Sequence, residues 1–233
     1  ANNIGMKKAS GKYILMLNPD TVVLNKAVDK LVLFMDEHPD AGASGPKVLN
    51  PDMSLQPNCH HFHTLLMRLV EYAGLKRKYP KSRLFGKECM TYWSYNEIKA
   101  VDWITGCALI LKKTALDQIG ILDENYFMYT EETDLCYRLN KAEWKVLFYP
   151  DAEVIHYGGK SSAISEEPKS VLNPTIKYLF DTKYYFYKKN YGYIHVFFLK
   201  LIDFIFYLTV FIKNIFRRDK KIRQTKQQYA SFV

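Results

Sequence analysis

Tyr13-Ile14-Leu15-Met16-Leu17-Asn18-Pro19-Asp20 is the stretch from which the fold is read. An unbroken apolar run stops at Asn-Pro-Asp, the pattern of a short strand buried on both faces and closed by a polar loop. Beyond it, Val28, Leu31, Val32 and Met35 recur at helical spacing behind Asn25 as cap, and His38-Pro39 ends the segment. Strand, polar loop and helix make one unit of an α/β sheet. In open sheets of that class, ligands bind where loops leave the carboxyl ends of strands.

Working outward, further strands are expected over residues 43–49, 101–111, 146–149 and 153–156, punctuated by turns at Asn50-Pro51-Asp52 and Tyr149-Pro150-Asp151. Residues 114–119 read as a short helix stopped by Gly120, and residues 131–140 as another with acids in its first turn. Asn173-Pro174 opens a Tyr/Phe/Lys-rich helix that runs to Gly192.

The 233 residues are 48% hydrophobic and 15% aromatic, which excludes a disordered or fibrous chain. Cys59, Cys89, Cys107 and Cys136 form no CxxC pair and no dense disulfide framework, which suits a reducing cytoplasm. The chain opens at Ala1, in residues that already read as loop and helix, so further sequence is expected before it. The net charge of +9 is segmental. Arg68 to Lys87 and Lys213 to Lys226 each carry a local +6, which leaves the remainder at −3. Two basic contact surfaces are expected rather than a uniformly cationic protein.

Tyr193 to Phe216 is apolar and long enough to cross a bilayer of roughly 30 Å. Lys200 and Asp203 interrupt it, however, and together with Tyr207 and Asn214 they fall on one narrow helical stripe. A helix lying in the interface of an anionic membrane is expected, ahead of a tilted span with the charged pair masked. A helix docked on the protein's own core ranks last, because nothing after it in sequence covers so wide an apolar face.

Chemistry is concentrated at a few places. Asp20, at a strand end, suits a hard divalent cation, although Asn-Pro-Asp is also an ordinary turn. Glu131, Glu132 and Asp134 raise one another's pKa, which suits a general base near neutral pH. The same acids complement a helix dipole, and Asp134 can pair with Arg138. His156, before a Gly-Gly loop, is placed to meet a metal or a phosphate, or simply to hydrogen-bond. Cys59-His60-His61-Phe62-His63 offers zinc-type ligands, but neighbours on an extended stretch alternate sides, so a zinc site is not expected.

Taken in order, ANNIGMKKASGKYILMLNPDTVV, VDWITGCALILKK, GILDENYFMYTEETDLCYRL and WKVLFYPDAEVIHYGGKS closely resemble the family 2 glycosyltransferases, nearest to the rhamnosyltransferase type that builds bacterial cell-surface polysaccharides. The resemblance covers about residues 1–162. It implies an α/β GT-A fold, joined here after the family's first strand-helix-strand unit and followed by C-terminal helices. Asn18-Pro19-Asp20 matches the metal-binding acidic motif, with Asp20 as ligand of Mg2+ or Mn2+ and Asn18 in place of the first acid. Glu131-Glu132 matches the motif whose second acid is the general base, here Glu132 in place of the more frequent Asp. Trp103, Thr105, Gly106 and Cys107 match the loop lining donor sugar and acceptor, and Asn3 falls within the first matching motif as a substrate contact. His156 matches a position that touches metal or diphosphate.

The function implied is inverting transfer of a sugar, rhamnose by the resemblance, from a nucleotide-diphosphate donor to a lipid-linked or polysaccharide acceptor. Its setting is the cytoplasmic face of the plasma membrane. Without the first unit, these residues alone are expected to bind donor poorly. Three parts are expected: a partial GT-A domain over 1–170, a helical extension over 171–192, and a membrane-associated helix with basic tail over 193–233. A non-catalytic membrane-docked or nucleic-acid-binding module and a metal-dependent hydrolase are the competing classes. No recognisable nucleic-acid fold accompanies the basic segments, so nucleic acid is not expected as a partner.

Overall fold

The computed structural model describes residues 2–158 and 174–215. In chain order the elements are α1 (Asn2–Lys8), β1 (Tyr13–Leu17), β2 (Thr21–Val23), α2 (Ala27–Glu37), β3 (Ala41–Leu49), β4 (Cys59–His60), α3 (Leu65–Tyr72) and α4 (Leu75–Lys78). They continue with β5 (Lys99–Val101), β6 (Trp103–Ile104), β7 (Ala108–Lys112), α5 (Lys113–Ile119), α6 (Glu131–Lys141), β8 (Lys145–His156), α7 (Pro174–Tyr191) and α8 (Tyr193–Ile215).

The chain divides into two compact units. The first comprises residues 1–62, 79–124 and 131–163, and the second residues 63–78, 125–130 and 164–233. Segments 63–78 and 125–130 thus group with the C-terminal helices, and the expected boundary at residue 170 lies outside the described residues.

The first unit is an α/β layer structure. Its mixed sheet runs β1-β7-β3-β8-β2, with β5 also on β8, and β3 with β8 is its parallel pair. Alternation along β7 shows why the sheet is covered on both faces. Leu109 and Leu111 enter one core cluster with Leu135 and Leu139 of α6, while Ala108 and Ile110 enter the other with Leu31, Phe34 and Met35 of α2. Burying each of these leucine, isoleucine, phenylalanine and methionine side chains contributes roughly 1.5 to 3 kcal/mol. Close approach of α6 to β3 depends on Gly42, where an added Cβ would meet Leu139 Cδ2 at 2.7 Å and Trp144 Cβ at 2.8 Å.

Four expectations change. β1 ends the sheet path, so its residues are only half-buried rather than enclosed on both faces. Residues 101–111 are not one strand, because Thr105-Gly106-Cys107 loops out between β6 and β7. Tyr149-Pro150-Asp151 is not a turn: β8 continues through it, and the slip from Pro46↔Tyr149 to Lys47↔Glu153 absorbs the extra residues as a bulge. Asn25 is not the cap of α2. Both Asn25 and Lys26 have positive φ (43° and 58°), and the helix starts at Ala27 with Lys26 before it and no side-chain cap.

In the second unit α8 meets α7 and α3. The stripe of Lys200, Asp203 and Tyr207 faces these helices: Asp203 is fully buried, Lys200 Nζ lies 5.2 Å from the Tyr184 ring centre, and Tyr207 packs on Tyr72 and Phe180. The helix expected to rank last as a docked element is therefore docked, by its polar face. Its apolar face is what stays exposed. Asn173, Phe216 and the basic run after Ile215 lie outside the described residues.

Candidate active site

The loop after β1 is tied to the loop before β7. The Asn18 N–H donates to the Cys107 carbonyl at 2.9 Å, extending the β1–β7 ladder by one bond, and Thr21 Oγ1 donates to the same oxygen at 3.3 Å. Asn18 thus ties the two loops together through its backbone, and the Thr21 N–H closes the turn on the Asn18 carbonyl at 3.1 Å.

Pairing of β2 with β8 brings Asp20 to His156. With Thr21 opposite His156, the Tyr157 N–H reaches the Asp20 carbonyl at 3.0 Å, and Asp20 Oδ1 faces His156 Nε2 at 3.4 Å. The Asp20 side chain is only 9% exposed, and its Oδ1 accepts no hydrogen bond among the described residues. His156 Nδ1 donates to Gln56 Oε1 at 2.8 Å, and Gln56 is itself oriented because its Nε2 donates to Asn50 Oδ1 at 2.8 Å. That bond makes Nδ1 the donor to Gln56 and turns Nε2 toward the carboxylate. With Nε2 protonated the two groups form an ion pair, and with Nε2 unprotonated they leave a place for a cation. A carboxylate oxygen and an imidazole nitrogen fit a divalent ion that takes its remaining ligands from phosphate and water. Among the described residues no set of three or more His, Cys, Asp or Glu side chains gathers to hold a metal alone.

Glu131 and Glu132 open α6, and the two residues before them, Tyr129 and Thr130, both have φ 69°. Left-handed backbone is costly for a β-branched residue such as threonine and collects at functional sites. Glu132 Oε1 accepts from the Gly106 N–H at 3.4 Å, whereas its Oε2 and the Oε2 of Glu131 are buried with no partner among the described residues. Burial, with the neighbouring Glu131 charge adding to it, pushes the Glu132 carboxyl up to about 7, and burial raises Glu131 as well. Burial also lifts the Cys107 thiol to about 12, helped by Glu132 and Asp20, so both carboxylates act on one buried atom and the thiol stays neutral. The third acid turns away: Asp134 is fully buried and pairs with Arg138 at 2.8 Å, while Arg138 also holds the carbonyls of Ile119, Gly120 and Ile121.

The structure thus gathers Asn18, Asp20, Gly106, Cys107, Glu132 and His156. Trp103 and Thr105 lie beside them on the same segment, joined to a residue that the sequence had offered only as a zinc ligand. The His60 ring stacks on Trp103 at 4.0 Å, and its Nε2 lies 3.0 Å from Thr105 Oγ1, because β4 pairs His60 with Trp103. His61 turns instead to Asp102, 3.1 Å from its Nδ1. Asn3 is employed elsewhere, its Nδ2 donating to the Leu122 carbonyl and to Glu124, while its buried Oδ1 has no partner among the described residues. Gln56 had no signal in the sequence, since its partner His156 is a hundred positions away.

Residues 1–98 match the model of the glycosyl transferase family 2. The N-acetylglucosaminyl-diphospho-decaprenol L-rhamnosyltransferase of Mycobacterium tuberculosis is 32% identical over 160 residues, 69% of this chain and 51% of that protein. The rhamnosyltransferase WbbL of Escherichia coli (strain K12) is 25% identical over 178 residues, 74% of this chain and 63% of that one. The chain therefore spans about half to two thirds of the length of these relatives. A crystal structure of GalNAc-T7 with UDP, GalNAc and Mn2+ superposes with a TM-score of 0.51 at 14% identity, covering 98% of this chain and 40% of that one. The fold is GT-A-like.

Proposed function

Because the chain is a family 2, rhamnosyltransferase-like protein, we propose that it transfers a sugar from a nucleoside-diphosphate donor to an acceptor hydroxyl with inversion at the anomeric carbon. By likeness to the relatives above, the sugar is rhamnose and the acceptor a lipid-linked or polysaccharide glycan, elongated at the cytoplasmic face of the membrane.

The observation that carries this reading is Glu132, a buried carboxylate raised to about 7 with one oxygen unpartnered beside the Thr105–Cys107 loop. Its Oε2 takes the proton of the acceptor hydroxyl as that oxygen attacks the anomeric carbon. The Gly106 N–H, on Oε1, keeps the carboxylate turned to the substrate. Trp103 and Thr105, steadied by His60, wall the sugar. Asp20 and His156 would hold Mg2+ or Mn2+, which would supply neutralisation of the charge that builds on the leaving diphosphate.

Glu132→Gln tests the assignment. Turnover of a nucleoside-diphosphate sugar in the presence of acceptor falls by about two to four orders of magnitude, the span of general-base catalysis, while donor binding is retained. Near-normal turnover in that variant overturns it. Release of free sugar at an equal rate without acceptor turns the reading to hydrolysis.

A further inference from the structure

Helix α8 is amphipathic in the reverse of the usual sense. Asp203, near its middle, is 0% exposed. Oδ1 accepts from Arg68 Nε at 2.8 Å and from the Tyr72 hydroxyl at 2.5 Å, both on α3, and Oδ2 accepts from the Tyr184 hydroxyl of α7 at 2.8 Å. The Tyr72 ring stacks on Phe206 at 3.7 Å. With its polar side held by protein, the helix turns Ile194, Phe197, Leu201, Phe204, Ile205 and Leu208 outward, Ile194 being 72% and Phe197 64% exposed. Their spacing marks a single face, which continues to Ile212 and is about 27 Å long at 1.5 Å per residue. A continuous apolar strip of this kind marks an interaction surface.

We propose that this face rests on an anionic lipid bilayer, with α8 lying along the membrane plane and its outward side chains sunk into the boundary between headgroups and acyl chains. The company that Asp203 keeps decides between lying and spanning. By length and composition Tyr193–Lys213 could cross a membrane. Its mid-point, however, is bonded to α3, which carries Glu71 and leads into Lys76, Arg77 and Lys78, and to α7, which carries Asp181, Lys183, Lys188 and Lys189. Drawing α8 across the hydrocarbon would take these charges with it or strip Arg68 from its carboxylate, and both are costly in lipid. A helix laid in the interface keeps the network and immerses only the apolar face.

Charge selects the lipid. The sequence from Lys213 to Lys226 carries a net +6 and begins in the last turn of α8, and Lys188 and Lys189 lie in the last turn of α7. Such a run is attracted to anionic headgroups. Two copies meeting through the same face would instead bring like-charged segments together, which disfavours a dimer as the occupant.

Flotation of the full chain with vesicles tests the proposal and needs neither donor nor acceptor, so its failure is separable from failure of the transferase reading. The chain floats with phosphatidylglycerol vesicles, less with phosphatidylcholine vesicles, and less as salt rises. It is released by an alkaline carbonate wash. Phe197→Ser combined with Phe204→Ser, both outward positions, lowers binding about tenfold or more with the melting temperature unchanged. The proposal is overturned by absence of binding to phosphatidylglycerol, by equal binding of the double variant, or by retention through the carbonate wash, which indicates a span. A lipid-free dimer that the double variant dissolves assigns the face to a second copy instead.

Discussion

Glu131 and Glu132 share one helical turn and one buried site, so the ionisation of each is set partly by the other. With Glu132 as the proposed base, kcat/KM is expected to rise about tenfold per pH unit up to about pH 7 and then level, as Glu132 of the free protein loses its proton. Glu131→Gln removes a charge that raises Glu132, and the acid limb of the pH–rate profile moves to lower pH. The same shift governs stability with a definite sign. A carboxyl raised from 4.5 to about 7 keeps its proton in the folded state where the unfolded chain has lost it, so the contribution of Glu132 to stability is greatest below about 4.5 and falls up to about 7. The loss is roughly 3 kcal/mol. Urea melts across that range, with Glu132→Gln flattening the slope, check it. Asp20, Glu132 and His156 were legible in the sequence as acids and imidazole beside turns, but Gln56 was not, because an amide in a loop carries no pattern. With the metal held by Asp20 and His156 as proposed, Gln56→Leu, which frees His156 Nδ1, is expected to lower Mn2+ affinity about 10- to 100-fold, the usual effect of losing a group that orients a metal-ligating histidine. Manganese-dependent binding of a nucleoside diphosphate measures it.

At the scale of elements, helices with clear starts and stops were legible: Gly120, at φ 81°, ends α5, and Gly192, at φ 88°, separates α7 from α8. Less legible was whatever depended on pairing. Periodicity cannot show that residues 101–111 break to expel the Thr105–Cys107 loop, nor that β8 runs through Pro150, because hydrogen bonds to β3 and β7 partners decide both. Gly42→Ala drives a methyl group into Leu139 and Trp144 and costs about 1 to 3 kcal/mol, read by thermal or urea melting. The Arg68–Asp203 pair invites a double-mutant cycle. Asp203→Leu alone takes from the Arg68 guanidinium its buried carboxylate, leaving it the more exposed Glu71, strips the Tyr72 and Tyr184 hydroxyls of their acceptor, and costs about 3 to 5 kcal/mol, whereas adding Arg68→Met recovers part of that loss. Melting of the single and double variants gives the coupling.

Across the whole molecule, the chain passes from the first unit to the second three times, at residues 63, 125 and 164, so the C-terminal helices are not a detachable tail. Composition could place the basic segments and the apolar helix but could not show that α3, inside the candidate transferase sequence, is built to receive Asp203. A chain stopped at residue 158 leaves Arg68 and Tyr72 without that carboxylate and Tyr126 without Tyr185. It is expected to be less soluble and to melt at lower temperature than the full chain, as scattering and calorimetry would report. The two left-handed residues ahead of α6 bear on the order in which the molecule assembles. Neither Tyr129 nor Thr130 favours φ 69° on its own, at roughly 1 to 2 kcal/mol each, so the first turn of α6 does not nucleate locally and takes shape only when surrounding structure imposes it. On this ground the carboxylates of Glu131 and Glu132 are expected to be oriented late in folding, after the sheet. Substitutions at Thr130 should change the rate of unfolding and leave the rate of folding nearly unchanged in a chevron measurement.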